Sequence, residues 1–272
     1  MAGKMTNSQT ARLVLAGIAL LAAGAHAEEI HVMNSGGFAG AYKAVAPEYE
    51  KQSGDQLVTA YGPSMGDTPQ AIPNRLQRGE PADVLIMARA ALDALVKQGK
   101  IVSGSEVDLV RSKIGLAVKA GATKPDISSI EGLKRTLLKA RSIAYSDSAS
   151  GMYVAKELFR RLGIEAQVAP KSRMIPATPV GEILAQGEAE VGFQQLSELL
   201  AVSGIQVVGP IPDAVQKITV FSAGITTTAK SPAAARRLIE YLASPKAWPA
   251  IRRNGLEPVS DGKASSAGAG NR

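Results

Sequence analysis

Ser142-Ile143-Ala144-Tyr145-Ser146-Asp147-Ser148-Ala149-Ser150-Gly151-Met152-Tyr153-Val154-Ala155-Lys156-Glu157-Leu158-Phe159-Arg160-Arg161-Leu162-Gly163 decides the fold. An apolar, strand-like run leads into a hydroxyl-rich turn. An amphipathic helical run, Val154 to Leu162, follows and stops at Gly163. The first N–H groups of such a helix have no partner inside it, and the helix dipole adds partial positive charge. A small anion suits that place, with Ser148 or Ser150 as hydroxyl donors, Gly151 allowing close approach and Asp147 in the same turn. An ordinary N-cap, in which Ser and Asp serve the helix itself, is the competing explanation.

The same rhythm runs through the chain on either side. Ile30 to Met33 reads as a buried strand, followed by the turn Ser35-Gly36-Gly37 and a helix from Phe38 to Gln52. Leu57 to Tyr61 is a second strand, and Gly62 to Pro69, with Ser64 and Met65, is its turn. Ala82 to Met87 is a third strand and Ala90 to Gln98 a helix. Arg111 to Lys119 reads as one strand centred on Ile114 to Val118, before a helix near Ile130 to Lys139. Lys171 to Ile175 is strand-like and basic, with Arg173 a candidate cation. Thr178 is the expected N-cap of the next helix, with Pro179 in its first position. Glu190 to Gln195 is a strand that ends in two amides, Gln194 and Gln195, which both donate and accept. Two more strands (Gln206 to Gly209, Ile218 to Ile225) and two helices (Pro232 to Leu242, Ser244 to Asn254) complete the pattern. Strands alternating with helices predict mostly parallel sheets, with ligands beyond the carboxyl ends of the strands. Ser35, Gly36, Gly37, Ser64, Met65 and the Asp147 turn all fall at that edge.

Composition narrows the chemistry. Lys4 and Arg12, the apolar run Leu13 to Ala25 and Ala25-His26-Ala27 have the form of an export signal, residues 1–27, cleaved after Ala27 into the periplasm. No later run is long and apolar enough to span a membrane. The leader holds two of the 31 basic residues and none of the 24 acidic ones, so the remaining chain carries +5. That charge is interspersed, which argues against nucleic acid and favours a small anion. With no cysteine, thiol chemistry and cysteine metal sites are excluded. The lack of a well-placed histidine argues against a serine hydrolase, and the lack of a P-loop or a G-x-G-x-x-G turn against a nucleotide-binding protein. Residues 261–272, rich in Gly, Ser and Ala, read as a disordered tail.

Four motifs in order carry a resemblance. They are Gly79-Glu80-Pro81-Ala82-Asp83-Val84, the helix Leu92 to Lys100, Gly187-Glu188-Ala189-Glu190-Val191-Gly192, and Ser231-Pro232-Ala233-Ala234-Ala235. Together they resemble the periplasmic solute-binding proteins of the molybdate-binding type, over nearly the whole chain beyond the leader. The resemblance implies an α/β fold of type II: two lobes, each a mostly parallel sheet flanked by helices, with a ligand cleft between them. Lobe one would hold residues 28–112 and 222–260, and lobe two residues 113–221.

The family's oxyanion site uses two serines, which Ser35 and Ser64 match, and a tyrosine, whose place Gln195 takes here. That departure, with Lys171 and Arg173 nearby, suits a di- or tricarboxylate rather than a tetrahedral oxyanion. The chain is similar to the branch of the family that contains periplasmic aconitate isomerases. This implies interconversion of trans- and cis-aconitate by an allylic proton shift, which requires no cofactor or metal in principle. Such a shift needs a base beside the methylene. Asp147 is the candidate base; His31 lies near the start of its strand, away from the ligand edge. The alternative is a non-catalytic binding protein that delivers a small anion, an organic carboxylate or molybdate or tungstate, to the membrane component of an ABC transporter.

Overall fold

A computed structural model of the protein describes residues 27–259. The leader, all but Ala27 of it, and the tail read over residues 261–272 lie outside the described residues. Eleven strands are described: β1 (Glu29–Asn34), β2 (Gln56–Tyr61), β3 (Val84–Ala88), β4 (Val107–Ser112), β5 (Ile114–Lys119), β6 (Ile143–Ser146), β7 (Ser172–Ile175), β8 (Val191–Gln195), β9 (Ile205–Pro210), β10 (Thr219–Ile225) and β11 (Leu256–Pro258). They form two sheets, ordered β11-β4-β10-β3-β1-β2 and β7-β6-β8-β5-β9. β1 runs parallel to β2 and β3, and β6 runs parallel to β7 and β8. The strands set against that direction are β10, β11 and β5. Two of them carry the chain between the sheets: β4 passes to β5 through Lys113 alone, and the chain returns from β9 to β10. The result is the two-lobed α/β fold.

Each sheet is buried on both faces, which is why its central strands are apolar without alternation. All five residues of β3 are buried. Its Val84 and Ile86 pack with Phe38, Tyr42 and Leu238 on one side. Leu85 and Met87 pack with Ile72 and Leu92 on the other. Burial of each such side chain stabilises the fold by roughly 1.5–3 kcal/mol. The second sheet repeats the design, with Leu116, Ile143 and Phe193 on one face and Ala117, Ala144 and Leu184 on the other. Among the described residues no helix is long and apolar enough to cross a membrane.

Three details depart from the sequence pattern. Arg111 to Lys119 is two strands, because Asp108 and Arg111 interrupt the apolar pattern of β4 and hide it. Asp108 has structural work there, accepting bonds from Ser222 Oγ (2.6 Å) and Arg89 Nη1 (2.8 Å). The helix after β6 starts earlier than its amphipathic run, at Ala149, with Ser148 as N-cap. It continues through a π turn, Val154–Leu158, to Arg161. The helix Val180–Gln186 is capped by Pro179, not Thr178. The Pro179 backbone is extended (φ −56°, ψ 129°), and the Val180 N–H is satisfied by Gln194 Oε1 at 2.9 Å.

Candidate functional site

The carboxyl ends of β1, β2, β6 and β8 meet between the sheets, and the turns beyond them enclose a cavity of about 250 Å³. Ser35, Gly36, Lys43 and Tyr61 line it from the first sheet's side. Ser146, Asp147, Ser148, Thr178, Gln194 and Glu198 line it from the second. The lobes touch around it. Ser197 Oγ donates to the Gly37 carbonyl across 2.7 Å, and Gly66, at φ 108°, packs on Asp147.

Ser35 caps the helix Gly36–Ser53, yet its side chain makes no capping bond. A relay explains where it points. The Ala88 N–H donates to Ser64 Oγ (2.9 Å), and Ser64 Oγ donates to Ser35 Oγ (2.8 Å). Because Ser35 Oγ accepts from Ser64, its own proton is directed elsewhere, into the cavity that it lines. Ser148, opposite, is likewise an N-cap whose side chain makes no capping bond. Ser129 behaves as an N-cap normally does, with Oγ accepting the Gly132 N–H at 3.0 Å. Lys43 Nζ sits 4.8 Å from the centre of the Tyr61 ring and supplies positive charge on the first wall.

The second wall is acidic. Asp147 Oδ2 accepts the N–H of Ala177 at 3.1 Å. Ala177 holds φ 54°, a left-handed conformation that costs an alanine about 1 kcal/mol. Strain of this kind concentrates at functional sites. Glu198, in the first turn of the helix Leu196–Leu200, reaches across to the first residue of the helix Gly36–Ser53. Burial pushes its carboxyl up to about 7, and the Asp147 charge adds to this. The Gln194 side chain and the Gln195 N–H pull in the other direction. Glu198 and Lys43 carry no motif: one reads as a first-turn helix acid, the other as one lysine among many on a solvated helix face.

The remaining residues singled out in the sequence are distributed around this cavity. Ser64 lies buried behind Ser35. Gly37 lies under the Phe221 ring. Ser150 bonds Ser146 Oγ at 3.1 Å, and Gly151 presses on the Ser146 backbone, where no side chain fits. Met65 lines an adjoining cavity of about 560 Å³ with Met152 and Met174, and Asp147 stands between the two cavities. Gln194 lines the site, but its Oε1 is bonded to Val180. Gln195 is buried beside it and donates to Thr219 Oγ1 at 2.9 Å. Arg173 is half-exposed on β7, paired with Glu188 at 3.0 Å, and is not part of the cavity lining. Lys171 Nζ donates to the Leu138 and Ala140 carbonyls. His31 lines a separate cavity of about 280 Å³ at the opposite edge of the first sheet. Asp83 there is tied to the N–H groups of His31 (2.7 Å) and Lys230 (2.6 Å), which gives it a structural role. Among the described residues no group of three or more His, Asp or Glu is placed to hold a metal ion.

Comparison with known proteins agrees with the two-lobed fold. A family model described as bacterial extracellular solute-binding protein matches residues 30–257. An aconitate isomerase from Pseudomonas sp. is 53% identical over 247 residues, 91% of this chain and 94% of that protein. The molybdate-binding protein ModA of Azotobacter vinelandii is 31% identical over 257 residues, 90% of this chain and 96% of that one. The solved structure of the Azotobacter vinelandii periplasmic molybdate-binding protein superposes with a TM-score of 0.66. It is 23% identical and covers 84% of this chain and 98% of its own, a likeness of fold.

Proposed function

The chain belongs to the family of bacterial extracellular solute-binding proteins, and from that premise we propose that it is an isomerase interconverting trans- and cis-aconitate in the cleft between its lobes. Family membership makes it an exported binder of small anions; that it resides in the periplasm after cleavage at Ala27 is part of the proposal. The observation that carries the anion site is the pair of serine N-caps, Ser35 and Ser148, which face each other across the cavity without capping their helices. Their hydroxyls, the open helix ends and Lys43 favour the carboxylates of the substrate. The acidic second wall favours turnover over storage. A ligand that is anionic throughout gains nothing from Asp147 and Glu198, whereas an allylic isomerisation needs a group that takes and returns a proton.

In this reading Asp147 is a positioning residue: its bond to Ala177 fixes the strained turn that brings Thr178 to the cavity. The likeness to a molybdate-binding protein supports a second reading, a carboxylate-binding component of an ABC transporter built on the same cleft. Incubation with trans-aconitate, analysed by chromatography, tests the first. Formation of cis-aconitate, approached to the same equilibrium from either isomer, is expected. Calorimetric binding without conversion would leave the transport reading, and absence of binding would overturn both.

A further inference from the structure

We propose that the side chain of Glu198 is the catalytic group that carries the proton between the two ends of the substrate's allyl system. This rests on the isomerase reading and names the atom that performs it.

The placement of Glu198 is specific. It lies on the second lobe, in the turn of helix that follows β8, but its Oε1 rests on Gly36 of the first. A methyl group at position 36 would collide with that oxygen, so the glycine is what admits the carboxyl to the cleft. It stands in the same wall as Gln194 and across from Ser35, whose free hydroxyl proton would hold the substrate carboxylate. Asp147 faces it from its own lobe, and Lys43 and Tyr61 face the cavity from the other.

A second carboxyl in the same protein shows what a structural role looks like. The Asp55 side chain is buried and accepts from Tyr49 Oη (2.7 Å), the Glu28 N–H (3.1 Å) and Arg237 (3.1 Å). Burial alone would raise its proton affinity, but these donors outweigh burial and hold it below the usual carboxylate range. Glu198 has no cation on it, and burial pushes it up to about 7. A group that must both accept and return a proton near neutrality works best there.

The step balances within substrate and side chain. The Glu198 carboxylate takes a proton from the substrate methylene as the C–H bond breaks. The electron pair spreads over the three-carbon allyl system into the adjoining carboxylate, held by Ser35 and the helix end. The double bond shifts, and the same carboxyl returns a proton to the far carbon. No oxidant, reductant or metal takes part in this proton balance.

Glu198 also sits three residues after the N-cap Gln195, the spacing of a capping box, which Gln fills as well as Glu. Glu198→Gln therefore keeps the local structure and removes only the base. We expect turnover of trans-aconitate to fall by about 10²–10⁴-fold, with calorimetric affinity for trans-aconitate retained and an unchanged circular-dichroism spectrum. Glu198→Asp should keep partial activity. In the wild type kcat/KM should rise with pH through about 7, and Glu198→Asp should displace that limb, which a merely structural residue would not do. Turnover of Glu198→Gln within tenfold of an active wild type would overturn the assignment and leave the isomerase reading intact. A wild type that binds trans-aconitate without converting it would overturn both.

Discussion

Among the described residues four helices have a serine at the N-cap, and the four do not do the same thing; Ser231 donates its hydroxyl to Glu28 Oε2 at 2.7 Å. Ser129 faces solvent and spends its hydroxyl on the Gly132 N–H of its own helix. Ser35 and Ser148 face the cleft and make no such bond. The residue type and the cap position are identical, so sequence alone cannot separate them. What separates them is the surroundings. At Ser35, the relay from Ala88 through Ser64 fills the acceptor side of the hydroxyl and leaves its proton for a ligand. A cap hydroxyl that is spent neither on its helix nor on a neighbour and that lines a cavity is thus a sign of a binding site; Ser129, spent on its helix, and Ser231, spent on Glu28, are its internal controls.

After Glu198→Gln itself, the largest effect is expected at Gly36→Ala, where the added methyl displaces the Glu198 carboxyl. A misplacement of that size costs about 10²-fold in turnover, measurable in initial rates with the fold retained. Ser35→Ala and Ser148→Ala should weaken trans-aconitate binding by roughly tenfold to a hundredfold in calorimetry, the worth of a hydrogen bond to a charged group. Ser35→Ala should also lower the melting temperature slightly, because the buried Ser64 hydroxyl loses its acceptor.

Glu198 makes a pH-dependent contribution to stability. Its folded proton affinity is raised, so its favourable contribution is full below the ordinary glutamate range and is lost as pH rises through about 7. Glu198→Gln should therefore gain stability on the wild type between pH 5 and pH 8. The gain is on the order of 2 kcal/mol in urea titrations, after discounting for its partial exposure to water. The smallest effect is the control: Ser129→Ala should cost ~1 kcal/mol of stability and leave binding unchanged.

Much of the fold was legible in the sequence because it rests on apolar runs. β1, β2, β3, β6 and β8 are short hydrophobic segments that close with polar turns, and the helices between them carry one apolar face. β4 was not legible, because Asp108, which bonds Ser222 and Arg89, and Arg111 interrupt its apolar pattern. In the site, the turn residues Ser35, Gly36, Asp147 and Ser148 were legible from strand–turn–helix punctuation alone, and all four line the cavity. The other charged members, Lys43 and Glu198, were not. Arg173 stood out as a cation in a strand but is paired with Glu188, while Lys43 looked like any lysine on a helix. Glu198 looked like a helix-capping acid; only the approach of the other lobe, 162 positions away at Gly36, gives it a different environment. Contacts between lobes leave no local spacing to read.

The central claim is that this cleft converts its ligand rather than merely holding it. Proton NMR of trans-aconitate followed over time, with wild type and Glu198→Gln side by side, tests it most directly. The wild type should give a growing cis vinyl resonance, and the variant a broadened trans resonance and no product. Broadening without product in both samples would contradict that claim and leave a carboxylate-binding protein.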